Sequence, residues 1–133
     1  MDARVRALAI LALAVTSLWF VGAATPSSAR ERVIGSATAT GLEATAVAEG
    51  NARSPKALLV QATAEPGQSV TVSWYVVCNY PAFEVQDRKG TFTLQPPFKK
   101  KIPFPKKKPL KCGLSVSAAI ADGTVNVNLL ARS

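Results

Sequence analysis

Residues 98–112 read FKKKIPFPKKKPLKC, with seven lysines, three prolines and no acid in fifteen residues. Ammonium groups at this density can hold a polyanion by releasing its counterions, which makes such a contact steeply dependent on salt. Lysine supplies point charge without the bidentate fork of arginine, so the recognition would be loose. Lys99, Lys100, Lys101, Lys106, Lys107, Lys108 and Lys111 are therefore the candidate contact residues. An anionic cell-wall polymer or an anionic membrane surface is the candidate partner, and no motif for specific nucleic-acid recognition accompanies the run. A structural reading of the same residues competes. Counting in twos gives Phe92, Leu94, Pro96, Phe98, Lys100, Ile102 and Phe104, an apolar parity broken at Lys100. An extended chain would turn Phe98, Ile102 and Phe104 to a core, and lysine and proline along an exposed strand are how sheets avoid edge-to-edge pairing. Insertion of Ile102 and Phe104 into a membrane is weaker, because Pro103, Pro105 and Pro109 forbid a continuous helix.

Other chemistry is sparse. The chain has no histidine, which removes the commonest general base, the usual serine and cysteine triads and most zinc sites. Glu43, Glu49, Glu65, Glu84, Asp87 and Asp122 are scattered without a motif. No catalytic, cofactor-binding or metal-binding residue is assigned and no enzyme is expected; a hydrolase built on two carboxylates ranks behind any binding role. Trp74 shares the parity of Val72 and Val76 and reads as core. Tyr75, on the polar parity, and Tyr80, before Pro81, are the rings available for contact with a protein or glycan partner.

The segments that must position these residues begin after residue 29. Arg4 and Arg6 precede an uncharged apolar run over residues 7–24, followed by TPSSA. That order is a secretory signal peptide over residues 1–29, cut after Ala29, with Ala24 as a second cut point and an uncut membrane anchor as the alternative. The chain is thus expected to be secreted, and the mature form, residues 30–133, to be one domain that does not span a membrane. Without the two arginines and one aspartate of the leader, sixteen basic and eight acidic residues become fourteen and seven. The lysine segment supplies all of that excess. Cys78 and Cys112 are the only cysteines. In an exported chain they read as one disulfide, closing a loop of about 35 residues and contributing about 3–4 kcal/mol on the chain-entropy model.

Alternation dominates the mature chain. SVTVSWYVV, residues 69–77, places Val70, Val72, Trp74 and Val76 on one face. CGLSVSAAIADGTVNVNLLAR repeats the pattern twice around Asp122-Gly123, a pair suited to a type I′ hairpin turn. That hairpin would set Ile120 against Val125, Ala118 against Val127, Val116 against Leu129 and Leu114 against Ala131. Both cysteines fall on the inward parity. Residues 57–65 form a strand with Leu58, Val60, Ala62 and Ala64 inward, whose connection to the next strand bulges or passes to a second sheet. Residues 33–49 read as two weak strands about Gly41, or a strand and a short helix over 42–49. Residues 82–94 read as a hairpin turning near 87–90.

Seven or eight short strands predict an all-β fold, a small antiparallel β-sandwich of immunoglobulin-like architecture with one disulfide. Trp74 precedes Cys78 on its own strand, unlike the antibody-domain pattern, so the label is architectural only. The leader, VSWYVVC, the basic segment and the C-terminal alternation together resemble small secreted bacterial immunoglobulin-like β-sandwich proteins of unassigned function. The resemblance implies a fold and assigns no site. The expected function is a non-enzymatic secreted module binding polyanions through the lysine segment; the alternative is a protein- or glycan-binding module in which that segment is only a protected edge strand.

Overall fold

The computed structural model describes residues 30–133; the expected leader and its cleavage site lie outside the described residues. Eight strands follow in order: β1 (Glu31–Leu42), β2 (Thr45–Arg53), β3 (Ala57–Ala64), β4 (Val70–Tyr80), β5 (Glu84–Leu94), β6 (Phe98–Ile102), β7 (Lys111–Ala119) and β8 (Asp122–Arg132). They form two four-stranded antiparallel sheets, β1-β8-β3-β6 (sheet 1) and β2-β7-β4-β5 (sheet 2). Among the described residues no helix is long and apolar enough to cross a membrane.

The expected sandwich is present, and its strand order is specific. First pairs with last, second with seventh, third with sixth and fourth with fifth. That nested order is a jelly roll, two Greek keys rolled from one long ribbon, rather than the strand order of an immunoglobulin domain. Alternating β-branched and small residues build both inner faces. Val70, Val72, Val76, Leu114, Val116 and Ala118 of sheet 2 and Leu58, Val60, Ala62, Val125, Val127 and Leu129 of sheet 1 are all buried in one core. Cys78 and Cys112 lie directly opposite each other on β4 and β7 and are joined, S–S 2.06 Å, with Cα atoms 4.1 Å apart. A second buried group, Ala57, Leu59 and Leu130, occupies the outer parity of sheet 1. All eight strands, the core and the disulfide fall within residues 31–133, one compact unit.

Two expected hairpins are absent. β7 and β8 do not pair: β7 lies between β2 and β4, and β8 between β1 and β3. Alternation fixes which side chains turn inward. It does not say whether two inward rows are neighbours in one sheet or face each other across the core, and here they face each other. Gly123 does take the positive φ the turn reading required, +108°, but at a corner between sheets, where a Cβ would run into the Glu65 carboxylate. That corner is bonded to the β1–β2 corner, Glu43 N donating to Ala121 O (2.7 Å) and Ile120 N to Ala44 O (3.0 Å). Residues 84–94 are likewise one unbroken strand along β4. Gly90 is small for packing and not for turning: it pairs with Trp74, and a Cβ there would lie 2.5 Å from Trp74 Cζ2. Residues 33–49 are strands, not a helix, and the β3–β4 connection passes between sheets as expected.

Candidate functional site

The outer face of sheet 2 is built by register. Reading across β2, β7, β4 and β5, its rows are Thr45, Ala119, Thr71, Thr93; then Val47, Ser117, Ser73, Thr91; then Glu49, Ser115, Tyr75, Lys89; then Asn51, Gly113, Val77, Asp87. The two central columns are small or hydroxyl-bearing except for Val77 and one ring. Tyr75, 42% exposed, rises from this floor. It stands between a depression of about 500 Å³ reaching Ser73, Trp74, Gly90 and Ser117 and one of about 250 Å³ reaching Glu49, Asn51 and Gly113. A third hollow continues along Thr45, Thr71 and Ala119. The result is an open trough running along the strands. Tyr75 donates its hydroxyl to Asp87 Oδ2 at 2.9 Å, which fixes the ring in the trough and, with desolvation and the nearby carboxylate charge, raises its pKa above the ordinary 10.0.

The tyrosines part company here. Tyr75 is exposed as expected, whereas Tyr80 is only 3% exposed and is no contact residue. It lies on the inward parity of β4, and its hydroxyl is spent on the β6–β7 loop, donating to Lys106 O at 2.6 Å and accepting from Lys106 N at 2.9 Å. Trp74 packs partly against the core, as its parity implied.

The seven candidate lysines do not share one surface. Lys99 and Lys101 lie on the outer parity of β6, an edge of sheet 1. Lys99 bridges to Glu31 at 2.6 Å, and Arg132 holds the other Glu31 oxygen at 2.8 Å. Lys100 sits on the inward parity at the rim, its ammonium 5.4 Å from the centre of the Phe92 ring. Lys106 bridges to Glu84 at 2.8 Å and covers the Tyr80 ring. Lys107 and Lys108 are exposed in the β6–β7 loop, and Lys111 opens β7 in sheet 2. Ile102 is buried, and Phe98 and Phe104 pack partly against the core, so neither Ile102 nor Phe104 is free for membrane insertion. A five-residue edge strand carrying three lysines is the guarded edge that the alternative described.

Hydrogen bonds from Lys99 and Arg132, with their positive charge, hold the Glu31 carboxyl below its usual range, and Lys106 and Gln86 do the same for Glu84. Among the described residues no three histidine, cysteine or acidic side chains group as metal ligands.

One further organisation was not legible in the sequence: charge is divided between the two ends of the sandwich. The loops at one end, residues 54–56, 81–83 and 103–110, carry Lys56, Lys106, Lys107 and Lys108 and no acid. The connections at the other end carry Glu43 and Glu65, with Asp122 opening β8, and no lysine or arginine.

A scan of protein-family models and a search of curated proteins find no match to this sequence. Solved structures that resemble the chain include TmCBM61 in complex with beta-1,4-galactotriose, at 13% identity and TM-score 0.46, covering 77% of this chain and 88% of that one. PirA aligns at 12% identity and TM-score 0.38, covering 75% of this chain and 93% of that one. CBM32 of AlyQ, in complex with 4,5-unsaturated mannuronic acid, aligns at 11% identity and TM-score 0.36, covering 72% and 75%. These are distant structural likenesses, and no function passes from them to this chain.

Proposed function

We propose that the protein is a non-catalytic binding module that takes a glycan chain along the outer trough of sheet 2. The observation that carries this reading is Tyr75, an exposed ring held by Asp87 in a floor of serine and threonine hydroxyls. Sugar rings present C–H faces, which pack on aromatic surfaces, and hydroxyl edges, which need partners able both to donate and to accept. Ser73, Ser115, Ser117, Thr71 and Thr91 offer such hydroxyls around Tyr75. The shallow floor and the succession of hollows suit an extended chain lying along the strands better than a small molecule in a closed pocket.

Hydrolysis fits this face poorly. Glu49 and Asp87 stand on its outermost strands, three strand spacings or about 14 Å apart, wider than the ~5–10 Å that paired carboxylates span in glycosidases. Asp87 is also occupied by Tyr75. The scattering of the lysines, two of them paired to glutamates, weighs against one continuous polyanion strip.

Affinity electrophoresis of residues 30–133 through gels containing neutral and acidic polysaccharides tests the reading. Retardation by at least one neutral polymer is expected, with Tyr75→Ala weakening it by about tenfold or more and leaving the melting temperature nearly unchanged. Changing Lys99, Lys100 and Lys101 to Gln should leave retardation intact. Binding indifferent to Tyr75 and abolished by the lysine changes would return the function to the basic segment.

A further inference from the structure

The tip of the β4–β5 hairpin presents a ring that the fold does not use. Phe83 is fully exposed, and Val85 and Leu110 beside it are 60% and 50% exposed. These three, with Pro81, Ala82 and Tyr80, line an apolar hollow of about 380 Å³. Ala82 and Phe83 both have left-handed backbone, φ 66° and 61°, a region in which side chains are strained and glycine is not. Two non-glycine residues held there aim Phe83 away from the domain.

Cations surround the tip. The adjoining loop is fastened to the same hairpin at two points, through the Tyr80 hydroxyl on Lys106 and through Leu110 N donating to Asn79 O at 2.8 Å. Lys107 and Lys108 project between those anchors, while Ser54 N donates to Leu110 O and brings the loop containing Lys56 alongside. The nearest acid, Glu84, is already paired with Lys106.

We propose that this end of the domain docks on an anionic lipid bilayer, with Phe83 and Leu110 entering the boundary between headgroups and acyl chains and Lys56, Lys107 and Lys108 resting at the phosphates. The chemistry selects lipid over a soluble polyanion, because a purely electrostatic contact has no use for a fully exposed ring on a strained support. It selects lipid over a protein partner, because the ring stands on a projecting tip among lysines, which suit a diffuse negative plane better than a shaped pocket. The acids of the opposite end point away from such a plane. This docking is independent of the sheet 2 trough.

Co-sedimentation of residues 30–133 with phosphatidylcholine vesicles, alone or mixed with phosphatidylglycerol, tests the proposal at rising salt. Binding should require the anionic lipid and weaken with salt. Phe83→Ser should reduce the partition coefficient by about tenfold or more without moving the melting temperature, because the ring packs on nothing in the fold. Lys107→Gln with Lys108→Gln should reduce it by about fivefold per lysine. In a Phe83→Trp variant the indole emission should shift to the blue on binding and be quenched by brominated acyl chains. Failure to bind mixed vesicles at low salt overturns the proposal. So does binding that ignores Phe83→Ser while long-chain polyphosphate competes fully, since that result makes the end a polyanion contact.

Discussion

The trough of sheet 2 and the basic loop end are two exposed surfaces made in opposite ways. In the trough, position follows from register: each side chain stands on a strand whose backbone is bonded along the sheet, and side-chain bonds such as Tyr75 to Asp87 and Thr71 to Thr93 add to that order. At the loop end, no ladder fixes residues 103–110, and a few bonds to Tyr80, Asn79 and Ser54 do that work. One surface inherits its order from the sheet, and the other depends on individual contacts that single substitutions can remove. The two should therefore fail independently.

The largest expected effect joins the two regions, because the disulfide ties β4 to β7 beneath both. Changing Cys78 and Cys112 together to Ala should cost about 2–5 kcal/mol in urea unfolding under non-reducing conditions. A loss well below that range would mean that the sheets hold the strand pair without the bond.

Two substitutions then separate the surfaces. Gly90→Ala places a methyl against Trp74 and should destabilise by about 1–3 kcal/mol, altering the trough's rim while amide exchange in residues 103–110 stays as it was. Tyr80→Phe removes the hydroxyl that both donates to and accepts from Lys106, and should cost about 1 kcal/mol. It should speed exchange at Lys106 and its loop neighbours and leave polysaccharide retardation unchanged. If Tyr80→Phe altered the trough as strongly as Gly90→Ala does, the two surfaces would be one coupled unit.

The smallest effect is titration. Glu84 has its carboxyl pKa lowered in the folded protein by Lys106 and Gln86, so the unfolded chain takes up that proton at a higher pH than the folded one. Its contribution is complete above the ordinary value of 4.5 and is lost as pH falls through the lowered folded value. Glu31, lowered by Lys99 and Arg132, follows the same sign. Stability should decline slightly below about pH 4.5, with faster exchange in the β6–β7 loop, and Glu84→Gln should remove part of that pH dependence.

What the sequence made legible was parity. Alternation correctly placed Val70, Val72, Val76, Leu114 and Val116 inward, made Tyr75 exposed, and turned both cysteines into the layer where they meet. It could not say which strands are neighbours, because an inward row satisfies the same pattern beside its successor or across from it; β7 and β8 were misplaced for that reason. Gly90 was misread because a glycine that makes room for a ring looks like a glycine that makes a turn. Tyr80 was misread because proline follows it, although its own parity with Val76 and Cys78 pointed inward. The division of charge between the ends depends on which loops the topology gathers, and Phe83's exposure depends on two backbone angles. Neither leaves a local mark.

The nested pairing also sets an order of events. β1 is an edge strand whose only neighbour in its sheet is β8, and β8 separates it from β3. A chain emerging amino-end first therefore carries β1 without its sheet neighbour until the eleven residues of β8, Asp122–Arg132, are clear. Sheet 1 closes only once β8 is free to enter between β1 and β3. Sheet 2 needs no such wait, because β2, β7, β4 and β5 all precede β8 in the chain, so the two halves of the sandwich differ in when their last strand becomes available.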